Sequence, residues 1–323
     1  MLIIANPASA NGNTGLRWSG IESRLRAEGL SFDVRLTEAP GHAATLAYEA
    51  AQQGYDAVIC AGGDGTLNEI VNGLMRVDAP RRPTLGIIPC GTGTDFARGM
   101  GLPKDLDGVA AMLKRGQSQA IDVGHVSYVR AGEPAVRHFI NIAGLGFDGE
   151  VSDEVNRHGK RGGSLAYFVN VFKVLARYEN KLARLTLTLP DGRAQTVDGA
   201  FNLIAVCNGR YFGGGMLVSP NSLVHDGLFH VIVIEAMSRA EFTVAFPRVY
   251  RGTHLSHPKV TEYQAREVQV DLTPSPSGRG FAAHSRGWLG EGQRMFLEAE
   301  GELFGEAPAR FTLLPSALRL LMP

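Results

Sequence analysis

Cysteine is scarce in this chain: Cys60, Cys90 and Cys207 are the only three, and they stand far apart in apolar or glycine-rich surroundings. They form neither a CxxC pair nor an even set, which excludes a disulfide-stapled scaffold and points to a reducing, cytoplasmic setting. Net charge is missing too. Thirty-two basic residues cancel 32 acidic ones over 323 residues. No broad positive field remains, so no nucleic-acid partner is expected, and any lipid or phosphate contact must come from a local patch. No apolar run approaches the ~18 residues of a membrane-spanning helix, and the opening "MLIIANPAS" meets a proline too early for a signal-peptide core. Membrane contact is therefore expected to be peripheral, at the inner face. The nine histidines form no HExxH and no Cys/His set, and "HLSH" at 254–257 reads as surface or core, so no transition metal is expected.

What is present is a chain of ordinary globular composition, 44% hydrophobic and 20% charged, long enough for two buried cores. Short apolar runs ("LIIAN", "FDVRLT", "DAVICA", "TLGIIP") alternate with helical patterns near 14–28, 42–53 and 66–76. This βαβ rhythm predicts an α/β N-terminal domain, a mostly parallel sheet with helices on both faces, over 1–121. Beyond Ile121 the pattern becomes strand-like with turns between: "HFINIAGLGF", "ARLTLTLP", "FNLIAVCN", "LFHVIVIEA", "EVQVDLTP". A mainly antiparallel β-sandwich is expected over 122–323, with the last ~15 residues packing back on the first domain. One helix interrupts it, "SLAYFVNVFKVLARYENK" at 164–181, and "TPSPSGRG" at 273–280 reads as a loop.

"CAGGDGTLNEIVNGL" at 60–74 places three glycines in four positions between a buried strand and a helix. Glycine loses the most backbone freedom on ordering, so the loop needs unusual dihedrals or a close neighbour. Helix-terminal N–H groups and the dipole favour an anion there, a phosphate above all. The alternative is a tight turn with Thr66 as a cap. Neither GxxxxGK[ST] nor GxGxxG fits this spacing.

Residues 62–68, "GGDGTLN", resemble the nucleotide loop of the diacylglycerol kinase catalytic-domain superfamily, which includes bacterial lipid kinases, sphingosine and ceramide kinases and, more distantly, NAD kinases. "NPASANG" at 6–12, "TEAPGHA" at 37–43, "PCGTGTDFARGMGLP" at 89–103, "FINIAGLGFDGEV" at 139–151, "NGRYFGGGMLVSP" at 208–220, "HDGLFHVIV" at 225–233 and "AEGELFGEAPARFTLLPSALRLLMP" at 299–323 follow in the family's order. The resemblance implies a lipid kinase dependent on ATP and Mg²⁺ that phosphorylates a hydroxyl of a membrane lipid such as diacylglycerol, with a homodimer as one option. It places Asn6, Thr37, Gly62, Gly63, Asp64, Gly65, Thr66, Leu67, Asn68 and Thr92 around the nucleotide. Asp64 is a catalytic candidate acting through Mg²⁺ or a basic residue, since bare anions repel. Glu69 reads either as part of the site or as a favourable first-turn acid.

Two positions depart from the family pattern. Thr94 stands where the family has asparagine, and Glu300 where its DGE motif has aspartate. The motif's last acid falls on Glu302, the candidate general base. The competing reading of Glu298, Glu300 and Glu302 is one solvated acidic face of a strand. For a structural Mg²⁺ the resemblance offers the Asp226 carboxylate with the Leu223 and Leu228 carbonyls, and the alternative is an Asp-Gly turn. Asp95 reads as the cap of the helix after it. For lipid docking, helix 164–181 carries an apolar face (Leu165, Phe168, Val169, Phe172, Leu175) beside Arg157, Lys160, Arg161, Lys173, Arg177 and Lys181. Packing of that face on its own domain is the alternative. An NAD kinase-like enzyme and a non-catalytic lipid- or nucleotide-binding regulator are the rival functions.

Overall fold

The computed structural model describes residues 1–130, 132–158, 173–175, 177–273 and 294–323. The expected alternation opens the chain: β1 (Leu2–Ala5), α1 (Asn13–Ala27), β2 (Asp33–Leu36), α2 (His42–Gln52), β3 (Ala57–Gly62), α3 (Asp64–Leu74) and β4 (Thr84–Pro89). β1, β3 and β4 are continuous apolar runs because their residues are almost wholly buried, as strands covered on both faces must be. They pair in parallel in the order β2-β1-β3-β4. Two shorter helices follow, α4 (Asp95–Gly99) and α5 (Leu106–Arg115), the latter capped by the Asp105 side chain on the Gly108 N–H and closed by left-handed Gly116.

The second half is strand-rich: β5 (Ser118–Arg130), β6 (Glu133–Phe139), β7 (Ile142–Gly146), α6 (Phe147–His158), β8 (Lys181–Thr188), β9 (Ala194–Cys207), β10 (Tyr211–Phe212), β11 (Met216–Leu217), β12 (Phe229–Glu235), α7 (Arg239–Ala245), β13 (Val260–Ala265), β14 (Glu267–Leu272), β15 (Phe296–Ala299) and β16 (Glu302–Leu321). The pairs β8-β9, β9-β7, β7-β15, β15-β16, β16-β14 and β14-β8 are all antiparallel and return to their starting strand. This ring of pairs encloses a core that includes Leu145, Leu185, Phe201, Val268, Leu297 and Phe311.

The helix expected over 164–181 lies partly outside the described residues, as does most of the 273–280 loop. Its C-terminal limit needs correction. Lys181 opens strand β8, where its backbone pairs with Phe201, so the chain has left the helix before that residue.

β16 joins the two halves. Its first residues belong to the ring, while Leu320 pairs in parallel with Leu85 of β4. Leu318, Leu320 and Leu321 lie in the core that the N-terminal strands and helices build. Leu320 is fully buried there, and a Leu→Ala change at such a site costs about 2–5 kcal/mol. Leu320→Ala is expected to lower unfolding free energy in urea by that amount. A loss under about 1 kcal/mol would show that the strand end is not part of this core.

Candidate active site

The glycine loop is held from two sides. Asn6, just after β1, donates from Nδ2 to Thr66 Oγ1 at 2.8 Å, and its own Oδ1 accepts the Ala8 N–H at 3.0 Å. Thr66 is thus an acceptor for Asn6, and no side chain caps α3, whose N-cap residue is Gly63. On the other side, the N–H groups of Cys90 and Gly91 both donate to the Gly62 carbonyl at 3.0 Å. A Cβ on Gly91 would lie 2.3 Å from Gly63 Cα, so the two loops touch backbone to backbone and only glycine fits. Thr37, just past β2, is held by its N–H on the Ala5 carbonyl at 2.9 Å. Leu67 is buried, and Thr92 is exposed on the second loop.

Asp64 is mostly buried, yet it does not face the loop as a bare anion. Its Oδ2 accepts the Asp95 N–H at 3.0 Å and its Oδ1 the Phe96 N–H at 3.2 Å. The cap of α4 therefore comes from 31 residues upstream, which corrects the expectation that Asp95 caps its own helix. The Asp95 carboxylate instead reaches across to the β10–β11 hairpin, where Oδ2 accepts the Gly214 N–H at 2.7 Å. Burial pushes the carboxyls of both Asp64 and Asp95 upward, opposed by these N–H donors and by Arg98. Asp95 Oδ1 is buried with no hydrogen-bond partner among the described residues. Thr94, the residue before α4, sits at φ 47° and ψ 45°. This left-handed conformation suits the family's asparagine better than a β-branched threonine.

Facing α3 is the β15–β16 turn. Glu300 (φ 55°) and Gly301 (φ 78°) are its two central residues, both in the positive-φ region that a type I′ hairpin demands. The three glutamates here do not form a solvated face. Glu298 is fully buried; its Oε2 accepts the Gly301 N–H at 2.9 Å. Burial and the neighbouring Asp148 push its carboxyl well above the usual range. Glu300 Oε1 accepts the Ile140 and Asn141 N–H groups at 3.0 and 2.8 Å, and burial raises its pKa to about 8. Only Glu302 turns toward the glycine loop: a Cβ on Gly65 would be 3.4 Å from Glu302 Oε1. Its Oε2 accepts from Arg137 Nη2 at 2.6 Å.

Asn68 and Glu69 have structural partners. Asn68 Nδ2 donates to the His138 carbonyl at 2.9 Å, and Glu69 Oε2 accepts the Ala43 N–H at 3.1 Å, at the start of α2. In the 223–228 loop, Asp226 Oδ1 accepts the Leu228 N–H at 3.0 Å, and Gly227 N–H is held by buried Asp122 at 2.8 Å. The turn thus closes through hydrogen bonds, while the carboxylate and carbonyl oxygens offered at Asp226, Leu223 and Leu228 are the hard donors that Mg²⁺ accepts.

Sequence reading missed an apolar cavity of about 80 Å³ between the ring and its covering helices, lined by Ile142, Phe147, Val218, Ile232, Phe242 and Phe246 with Asp148 as an acidic member. A water site needs only about 10–15 Å³ on this measure. Its lining comes from strands, loops and helical segments scattered along the second half of the chain, so no periodicity betrays it. The basic residues assigned to helix 164–181 are partly committed elsewhere. Lys181 pairs with Glu150 at 3.1 Å and Arg177 with Glu154 at 2.5 Å, while Lys160 and Arg161 lie outside the described residues. Among the described residues, no helix is long and apolar enough to cross a membrane.

The Glu300 carboxyl carries a pH signature. Its proton is bound more tightly in the folded chain, at about 8, than in the unfolded one, where glutamate titrates near ~4.3. The stability it contributes is complete below the unfolded value and lost as pH rises through about 8. Glu300→Gln keeps the acceptor oxygen and removes the titration. Urea unfolding between pH 6 and 9 is expected to show a fall for the wild type that is flattened in the variant, and parallel curves would contradict the assignment.

Comparison with known proteins identifies the family. Residues 1–126 match the diacylglycerol kinase catalytic domain, and residues 141–322 match the YegS C-terminal NAD kinase beta sandwich-like domain. A diacylglycerol kinase of Bacillus subtilis is 30% identical over 99% of this chain and 95% of its own length. One from Mycobacterium tuberculosis is 30% identical over 99% of this chain and 94% of its own. In fold, a crystal structure of a diacylglycerol kinase from Bacillus anthracis superposes with a TM-score of 0.69 at 23% identity, covering 100% of this chain and 96% of that one. With this ordered agreement across both halves, the chain belongs to the diacylglycerol kinase family of lipid kinases.

Proposed function

We propose that the protein transfers the γ-phosphoryl group of ATP, with Mg²⁺, to the free hydroxyl of diacylglycerol or a closely related lipid, working peripherally at the cytoplasmic membrane face. The observation that carries this reading is Glu302 Oε1 standing over Gly65 at the start of α3, an acid opposite a phosphate-binding loop. ATP lies along the carboxyl edge of the parallel sheet, its phosphates against the N–H groups of Gly62, Gly63 and Gly65, with Leu67 beside them. Asn6, Thr37, Thr66, Asn68 and Thr92 border it. The lipid hydroxyl oxygen attacks the γ-phosphorus in line as the bond to the β-phosphate oxygen breaks. ADP leaves, and the hydroxyl proton passes to Glu302. Glu302 chiefly orients the nucleophile and takes its proton late.

Two acids held side by side in a largely buried place, one with an oxygen unpartnered among the described residues, fit a cation better than an empty pocket. Asp64 and Asp95 are the residues that would hold Mg²⁺ near the phosphates, and Asp226 with the Leu223 and Leu228 carbonyls would hold a second, structural ion. Bound there, Mg²⁺ supplies charge neutralisation for the transferred group. The apolar cavity beside α6 is suited to acyl chains and lies in the ring domain that also carries Glu302.

Glu302→Gln is nearly isosteric and uncharged. It should lower kcat by about 10²–10⁴ with ATP affinity kept within twofold. Turnover within about threefold of wild type would remove Glu302 as the base. In the same assay, Asp226→Ala should weaken the gain in thermal midpoint on adding Mg²⁺, and identical Mg²⁺ responses would remove it from the ion site.

A further inference from the structure

Glu302 does not set its own orientation. Arg137, on β6, donates from the one nitrogen Nη2 to Glu302 Oε2 at 2.6 Å and to Asn68 Oδ1 at 2.8 Å, so a single guanidinium touches the ring domain's acid and the phosphate-loop helix together. Its carbon lies 5.0 Å from the centroid of the Phe304 ring, which meets Tyr128 edge-on at 4.8 Å. These packed surfaces leave the Arg137 side chain 21% exposed. Arg137 Nε is buried and unpartnered among the described residues: the group gives up one of its own hydrogen bonds to stand where both acceptors reach it.

Asn68 is equally constrained. Its Nδ2 and that of Asn72 both donate to the His138 carbonyl at 2.9 Å, and Asn72 Oδ1 accepts the His138 N–H at 2.9 Å. α3 is thereby locked to β6 at the residue next to Arg137. The His138 ring, pushed by burial down to about 4, is neutral and brings no second cation into competition for Glu302.

We propose that Arg137 is the positioning residue of phosphoryl transfer: it pins Oε2 of Glu302, leaves Oε1 as the oxygen that takes the hydroxyl proton, and through Asn68 sets how far that oxygen stands from the phosphate loop. This rests on Glu302 being the base. The physical reason is that a glutamate side chain has free torsions and a carboxylate two equivalent oxygens. A charge-assisted bond, about twice as strong as a neutral one, selects one rotamer and one oxygen. A misplacement of about 1 Å at a reacting group costs on the order of 10²-fold in rate.

The test measures kcat and KM for Mg–ATP with short-chain diacylglycerol in detergent micelles for Arg137→Met, Arg137→Lys, Glu302→Gln and the double variant Arg137→Met/Glu302→Gln, with thermal midpoints alongside. Arg137→Met is expected to lower kcat by about 10²-fold with KM for ATP within twofold. Arg137→Lys should recover part of that rate, because an ammonium reaches Glu302 without matching the guanidinium fork. The double variant should be no slower than Glu302→Gln alone, since Arg137 acts through that carboxylate. Should the methionine variant fail to fold, the lysine variant, which keeps the buried charge, takes its place in the same cycle. Independent, multiplying losses would overturn the proposal, as would a full-rate Arg137→Met enzyme beside a crippled Glu302→Gln. A full-rate Glu302→Gln enzyme overturns the base assignment itself and this inference with it.

Discussion

Everything at the cleft depends on one strand belonging to two cores. β16 begins at Glu302, in the ring that closes around Phe201 and Phe311. It ends at Leu321, packed with Leu85, Ile59 and Leu113 in the core of the parallel sheet. Along most of its length it is paired with β5. A strand anchored at both ends in this way leaves less hinge freedom than a connection made by loops alone. The acid at its first residue therefore meets the glycine loop at a set distance, and the Arg137–Asn68 bridge refines that distance locally.

Around that strand the site stores unfavourable electrostatics. Asp64 with Asp95, and Glu298 with Asp148, are carboxyls whose proton affinity is raised by burial; backbone N–H donors oppose that rise at all four, and Arg98 opposes it at Asp64 and Asp95. Thr94 and Glu300 occupy left-handed backbone positions that ordinary side chains avoid, a strain of the sort that surrounding structure must over-determine. Both strained residues are where the chain departs from the family's asparagine and aspartate, the types that tolerate this conformation best. Fold stability and site geometry are thus set by the same residues, with the cost at the turn offset by hydrophobic burial in the two cores.

The parallel-sheet half was legible in the sequence because its cause is local: buried strands are continuous apolar runs, and the helices between them carry a 3.6 period. Motif order put the glycine loop and Glu302 forward together as candidates, and the fold sets Glu302 Oε1 beside Gly65. What was not legible depends on pairing across the chain. Nothing near Asp95 in sequence says that Asp64 caps its helix or that Gly214 takes its carboxylate. Alternation at Glu298, Glu300 and Glu302 looked like a solvated face because the partners that bury them, Asp148 and the Ile140–Asn141 backbone, lie over 140 residues away. Arg137 gave no signal at all: a single arginine in "AVRHF" is indistinguishable from a surface residue until β6 is seen against α3.

The central claim, a kinase whose acceptor is a lipid hydroxyl, is met most directly by supplying the protein with γ-labelled ATP, Mg²⁺ and either diacylglycerol micelles or NAD, and following the label by chromatography. The account predicts label in the organic-phase phosphorylated lipid and none on the dinucleotide. Label on NAD, or ATP bound without turnover on any lipid offered, would contradict it.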